Sequence, residues 1–248
     1  MMSVYLSRLL LNCLSRQVRS ELAHPYEMHR TLVRGFERHL SESDVSGREK
    51  CGMLFRADVD EQGHQVIVYV QSILEPDWRC LEGLDGYLFA SQGEPGAVYK
   101  DISRAYALLQ DSQTLSFRLR ANPTKRIGRG AGEGMAGKRV GLVREEEQTA
   151  WLERKGRTGG FALLSSGQTG GLVESRQPLA VEVRTEGKQT GRKRDHTHAH
   201  TMTHLSVLFD GRLRITDAEA FRETLLRGIG SAKAYGFGLL SIAPPGRP

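Results

Sequence analysis

The sequence predicts an α+β fold in which one strand–helix–strand–strand pattern runs twice along the chain. Three observations lead there. Behind Pro25 apolar residues recur every four positions, as on one face of a helix. Two extended runs follow that helix, separated by a short polar stretch containing glycine. Further on, Leu115, Phe117 and Leu119 alternate with Ser116, Arg118 and Arg120, as on a half-buried strand, and a second helix and more strands come after them.

Taken in order, residues 4–11 read as a strand and 15–23 as a short helix with Val18 and Leu22 on one side. Pro25 has no N–H to lose and suits the first turn of the next helix. Met28, Leu32, Phe36 and Leu40 carry its apolar face to residue 40. Residues 41–50 are polar and loop-like. Residues 53–59 and 66–74 read as strands joined by a hairpin turn at 60–64. Strand, helix, strand, strand is the first part of a ferredoxin-like unit. Gly93, Pro95 and Gly96 break the next stretch, and residues 102–109 read as a short helix. The expected division is a first domain at 1–95, a linker at 96–113 and a second domain at 114–248.

In the second run, residues 145–155 form a helix anchored by Trp151 and Leu152. Glu145, Glu146 and Glu147 make its first turn negative, which favours the helix dipole. Residues 161–164, 178–184 and 203–215 read as strands, the last interrupted by a turn signal at Asp210-Gly211. Asp217 suits the N-cap of a helix that buries Phe221 and Leu225 and stops at Gly228. A glycine-rich stretch follows, and residues 239–243 are the final strand.

The 248 residues suffice for one large domain or two small ones, and 39% hydrophobic residues can fill their cores. The net charge of +6 and a pI near 9.4 point to an anionic partner. The apolar run at 4–14 is interrupted by Arg8 and Asn12, lacks a basic leader, and does not read as a targeting signal. No apolar stretch approaches the ~20 residues of a membrane span. Cys13, Cys51 and Cys80 are odd in number and widely spaced, which fits reduced thiols rather than a disulfide frame or a zinc site. The expectation is a cytoplasmic protein without a membrane partner.

The candidate chemistry lies at the start of the second helix. Tyr26 and His29 are one turn apart, Arg30 is four from Tyr26, and Arg34 continues that side. A helix N-terminus favours phosphate. A proton-transfer group beside fixed cations is what metal-free phosphodiester cleavage needs. Spacing alone favours a plainer reading, an exposed polar face with an incidental histidine.

Two other motifs lack their context. Residues 132–138 spell G-x-x-x-x-G-K, but Arg139 stands where a Ser or Thr should hold magnesium, and no strand precedes them. His196, His198, His200 and His204 share one face of an extended strand, yet no Cys lies nearby and Asp195 is the closest carboxylate. Neither a nucleotide cofactor nor a metal is expected. The basic residues are more informative. Arg118, Arg120, Lys125, Arg126, Arg129, Lys138 and Arg139 crowd one region, and Arg184, Lys188, Arg192, Lys193 and Arg194 another. Beside strands with a basic face, they make nucleic acid the leading partner.

Four segments occur together and in order: Tyr26-Glu27-Met28-His29-Arg30-Thr31-Leu32, Glu75-Pro76-Asp77-Trp78, the run from Phe117 to Lys125, and Gly228-Ile229-Gly230-x-x-Lys233-Ala234-x-Gly236-x-Gly238-Leu239-Leu240-Ser241. Together they resemble the CasE family, the repeat-processing endoribonucleases of type I-E CRISPR systems. The resemblance implies two tandem ferredoxin-like (RRM-like) domains. It implies an enzyme that cuts CRISPR repeat RNA at the 3′ base of its stem-loop without a metal cofactor. The enzyme then stays on the mature crRNA hairpin within Cascade, beside the other subunits and above all the adjacent backbone subunit. The resemblance gives His29 the catalytic role, with Tyr26 assisting. It gives RNA-binding roles to Arg118, Arg120, Asn122, Lys125, Arg126 and Arg184, and to the loop holding Gly228, Gly230, Lys233, Gly236 and Gly238. Two regions depart from the family pattern: the glycine-rich stretch at 128–137 is longer, and 187–200 is extended and rich in Arg, Lys and His.

Overall fold

The structure is a computed structural model and describes residues 2–41, 47–59, 65–89, 95–128, 137–165, 179–194 and 199–245. The first half runs β1 (Tyr5–Asn12), α1 (Arg16–Ala23), α2 (Pro25–Val33), a 3-10 turn (Arg34–His39), α3 (Gly47–Cys51), β2 (Leu54–Val59), β3 (Gln65–Ser72), α4 (Arg79–Glu82), β4 (Ala97–Asp101) and α5 (Ser103–Ala107). Its sheet has the order β2-β3-β1-β4, with antiparallel neighbours throughout. The second half runs β5 (Thr114–Ala121), β6 (Thr124–Arg126), β7 (Arg139–Gly141), α6 (Glu145–Thr158), β8 (Phe161–Leu163), β9 (Val181–Arg194), β10 (Ala199–Ile215), α7 (Ala218–Arg227), a 3-10 turn (Lys233–Tyr235) and β11 (Leu240–Ala243). Its sheet has the order β11-β5-β10-β8, with β9 also paired to β10, while β6 and β7 form their own ladder. In both sheets the first strand lies between the third and the last, which is the ferredoxin-like arrangement expected from the sequence.

Each sheet buries one face. Leu9, Leu11, Val66, Val68 and Val70 meet Val18, Met28, Leu32 and Phe36 in the first core. Leu115, Phe117, Leu119, Val207 and Phe209 meet Trp151, Leu152, Phe221 and Leu225 in the second. Each such side chain contributes about 1.5–3 kcal/mol on burial. Asp217 caps α7, accepting from the N–H groups of Glu219 at 3.0 Å and Ala220 at 2.9 Å.

Several boundaries differ from expectation. The segment 96–113 contains β4 and α5 rather than only a linker: Ala97–Asp101 supplies the fourth strand by pairing with β1. The hairpin turn expected at 60–64 lies outside the described residues. The helix expected at 25–40 tightens into a 3-10 turn at Arg34. Trp78 explains this. Its ring lies so close over Gly35 that a Cβ there would come within 2.5 Å of it. The Gly35 carbonyl accepts from the Asp77 N–H at 2.7 Å, and the Trp78 indole donates to Ser7 Oγ at 2.9 Å. The Glu75–Trp78 segment thus clamps the end of that helix. Asp210-Gly211 makes no turn, because β10 runs straight through it. Asp210 pairs with Arg118 on β5, and Gly211 passes so near the Ala180 carbonyl that a Cβ would come within 2.6 Å of it.

Sequence pattern did not single out Glu21. It is buried in α1, where it accepts from Thr31 Oγ1 at 2.7 Å and Tyr87 Oη at 2.6 Å. These bonds tie α1, α2 and the rim of the first sheet together, and so fix where α2 starts.

The two sheets meet along β2. Arg56, buried there, donates to both carboxylate oxygens of Asp58 and to Ser241 Oγ of β11. From β5, Arg120 donates to the Ala57 carbonyl at 2.6 Å and to Asp58 at 3.3 Å. Gln71 of β3 adds a bond to the Leu225 carbonyl of α7 at 2.8 Å. The junction of the halves is therefore polar and hydrogen-bonded.

Candidate active site

Pro25 opens α2, and its apolar positions turn Met28 and Leu32 into the first core. That rotation leaves Tyr26 and His29 half-buried against the second half of the chain. Their rings stack with centroids 5.6 Å apart and planes 10° apart. His29 also lies 6.4 Å from the Phe55 ring, and both its ring nitrogens are buried. Tyr26 meets Tyr235 at 5.7 Å, Tyr235 meets His204 at 4.6 Å, and His204 meets Phe237 at 6.1 Å. A row of aromatic rings thus crosses from α2 to the 3-10 turn and to β10. A cavity of about 320 Å³ opens beside it, bounded by Leu22, Pro25, Met28, Phe55, Gln189 and Tyr235.

The four catalytic candidates do not form one group. Tyr26 faces Tyr235, and His29 lies between Tyr26 and Phe55. Arg30 and Arg34 are exposed and line a groove on the α1 side with Arg16 and Glu37. Arg30 is paired with Glu27 across one turn at 3.0 Å.

The RNA-binding candidates divide as well. Arg120 is 13% exposed and is clasped by both carboxylate oxygens of Glu186 at 2.7 and 2.8 Å. Burial pulls its pKa down, but Glu186 and Asp58 outweigh this and hold it above the ordinary value. Burial likewise pushes Glu186 up, and Arg120 and Ser206 outweigh that and hold it low. Arg120 therefore joins the two halves of the fold. Arg118 is half exposed and carries a bidentate pair with Asp210. Asn122 is buried and contacts His204 and the Leu205 backbone.

Lys125, Arg126, Lys138 and Arg139 are all exposed on or beside the β6–β7 ladder, where Arg126 faces Arg139. Lys125 also pairs with Glu147 at 2.7 Å. Arg184 is exposed on β9, with Glu182 3.5 Å away. Arg129 lies outside the described residues.

Gly228, Gly230, Gly236 and Gly238 all have positive φ. At Gly228 a Cβ would come within 2.8 Å of the Gly238 carbonyl and of Leu54 across the junction. The Ile229 N–H donates to the Gly238 carbonyl at 2.9 Å, so the loop closes on itself and presents Lys233 and Tyr235. Its glycines serve close packing here.

Among the described residues no cluster of three His, Cys, Asp or Glu could hold a metal ion. His196 and His198 lie outside those residues, and His204 turns toward Tyr235 and Phe237. Sequence pattern missed Tyr235, Phe55 and Glu186, and it weighed His204 only within the histidine strand. The one usable signal for Tyr235 was an aromatic residue enclosed in the glycine-rich stretch.

Comparison with known proteins gives the chain a family. The family model described as CRISPR associated protein matches residues 4–244. The CRISPR-associated endoribonuclease Cse3 of Thermus thermophilus is 40% identical over 242 residues, covering 97% of this chain and all of that protein. The Cascade subunit CasE of Escherichia coli K12 is 36% identical over 141 residues, covering 55% of this chain and 61% of that one. Among solved structures, Cse3 bound to a 19-nucleotide RNA superposes with a TM-score of 0.74 at 36% identity, covering 98% of this chain and 100% of that one. The chain belongs to the CRISPR associated protein family, as a CasE-type endoribonuclease.

Proposed function

We propose that the chain cleaves CRISPR repeat RNA at the 3′ base of its stem-loop without a metal ion and stays on the mature crRNA hairpin as a subunit of Cascade. The observation that carries this reading is the Tyr26–His29 stack, held at the seam between two ferredoxin-like halves. The 2′-OH beside the scissile phosphate attacks it, and the 5′-oxygen leaves. The ends are a 2′,3′-cyclic phosphate and a 5′-OH.

His29 moves the proton, a contribution worth about 10²–10⁴-fold. Tyr26, stacked on it, fixes the imidazole plane and orients the sugar hydroxyl. Arg30 and Arg34 lie on the α1 side, apart from the stack, and add only to the long-range positive field. A-form RNA hides its base edges in a deep, narrow groove, so the stem is gripped through phosphates and 2′-hydroxyls. Lys125, Arg126, Lys138, Arg139 and Arg184 are the exposed cations for that grip. The enzyme works in the cytoplasm. Among the described residues no helix is long and apolar enough to cross a membrane.

The test incubates the protein with its own repeat RNA in excess EDTA and maps the products. Cleavage at one site with cyclic-phosphate and 5′-OH ends is expected. Silencing by EDTA, or a 3′-OH end, would contradict the mechanism. Tight hairpin binding without cleavage would leave an RNA-binding subunit.

A further inference from the structure

We propose that His204 and Tyr235 form a pair of neutral hydrogen-bond donors for a non-bridging phosphate oxygen of the RNA at the bond that is cut. The inference rests on the endoribonuclease reading above and adds a second histidine to its site.

The hydrogen-bond network sets the tautomer of His204. Asn122 Oδ1 accepts from the Leu205 N–H at 3.2 Å, so its amide cannot be turned round without placing two donors together. The other end of that amide, Nδ2, therefore faces His204 Nδ1 at 3.1 Å. An amide nitrogen only donates, so Nδ1 accepts and the proton sits on Nε2. Protonating Nδ1 would set donor against donor. Burial also lowers the pKa of His204, and the ring stays neutral.

The two polar atoms this leaves are both unmet. His204 Nε2 and Tyr235 Oη are buried and have no hydrogen-bond partner among the described residues. Their rings are 4.6 Å apart. If these side chains served packing alone, a Phe at 235 and an apolar residue at 204 would fill the space without burying unmet donors. The segment that carries Tyr235 is strained too. Ala232, just before the 3-10 turn, has φ +64, a left-handed conformation that non-glycine residues seldom adopt. Unmet polar groups and local strain together mark a segment held ready for a ligand.

Position and chemistry identify the ligand. Tyr235 is one ring from Tyr26, which is stacked on His29. An RNA strand whose scissile bond lies at His29 brings phosphate oxygens to this side. Two unmet donors on adjoining rings suit an oxygen that only accepts. A phosphate oxygen does so, whereas a ribose hydroxyl also needs somewhere to donate. Small shifts of the Tyr235 turn admit that oxygen, and its arrival satisfies both buried groups.

The test measures single-turnover cleavage at saturating enzyme for wild type, Tyr235→Phe, His204→Ala and His204→Gln. The substrates are repeat RNA with an ordinary scissile phosphate and RNA with a stereochemically defined sulfur in place of either non-bridging oxygen. Sulfur accepts hydrogen bonds poorly. One of the two sulfur isomers should slow wild type, and Tyr235→Phe should lose about tenfold on the all-oxygen RNA. That isomer should then cost Tyr235→Phe less than it costs wild type, because one of the two bonds is already gone. His204→Gln, which can still donate, should outperform His204→Ala. Tyr235→Phe should melt no lower than wild type, since it removes an unmet hydroxyl.

Equal sulfur effects in wild type and Tyr235→Phe, unchanged rates in all variants, or a lower melting temperature for Tyr235→Phe would each overturn the inference. If wild type does not cut at all, the functional reading fails separately. The same comparison is then made on affinity for RNA with a 2′-deoxy sugar at the cut. A sulfur effect smaller in Tyr235→Phe than in wild type supports the donor pair there, and an equal one overturns it.

Discussion

His29 and Tyr26 gain their roles from what surrounds them. On an isolated helix they would be a polar face. Here Phe55 and Tyr235 close round them, fix their planes and exclude most of the water around the imidazole. In the proposed reaction an imidazole held in this way needs little reorganisation at the moment of proton transfer. Tyr26→Phe keeps the stacked ring and removes one hydroxyl. It should slow single-turnover cleavage by about ten- to a hundredfold, well short of the loss on removing His29. A Tyr26→Phe enzyme as inactive as His29→Ala would make the tyrosine the proton-transfer group.

At the scale of elements, the glycine-rich loop is a structural joint. Gly228 has φ +72 and passes within contact of Leu54 and the Gly238 carbonyl. Gly228→Ala should lower stability by at least about 2 kcal/mol in urea unfolding, because a Cβ is disfavoured there by both backbone and neighbours. Unchanged stability would show that the loop is free to move away.

Elements set by local pattern were legible in the sequence, and those set by distant neighbours were not. The alternation in β5 and the four-residue recurrence in α2 depend on one apolar face each, so they could be read directly. Asp210-Gly211 carries a real turn signal, but Arg118, 92 residues away, and the backbone at Ala180 override it. Arg118 and Arg120 lie on the outward face of β5, as the alternation predicts. Their carboxylate partners Asp210, Glu186 and Asp58 become visible only when the sheets meet, and these partners bind Arg120 into the junction. The candidate pair Tyr26 and His29 could be picked out from a three-residue spacing. Tyr235 and His204 lie some 200 residues downstream, and only the folded chain brings them to Tyr26.

The whole molecule is two similar sheets joined by charge as well as by packing. Glu186 has a folded pKa held below its ordinary value of 4.5 by Arg120 and Ser206, against the upward pull of burial. A depressed carboxyl stabilises the fold above its unfolded pKa, and that contribution is lost as pH falls through the folded value. Wild type should therefore lose stability below pH about 4.5 more steeply than Glu186→Gln, as read from urea midpoints at successive pH values. Parallel pH profiles would remove this pair from the account.

The same scale governs RNA affinity. Lys125, Arg126, Lys138, Arg139 and Arg184 offer about five phosphate contacts. Affinity should then fall about 10²–10³-fold for a fourfold rise in salt, through counterion release. A nearly flat response would reject the basic ladder and β9 as the RNA-binding surface.

The central claim is that binding is spread over many cations while the chemical step rests on one imidazole. The most direct measurement compares wild type and His29→Ala on their own repeat RNA, in EDTA, at saturating enzyme and in a single turnover. Binding is then complete for both proteins, and the rate reports chemistry alone. The account predicts that His29→Ala loses about 10²-fold or more in rate while its affinity for the hairpin stays close to wild type. A His29→Ala protein that cuts at a near wild-type rate would contradict it.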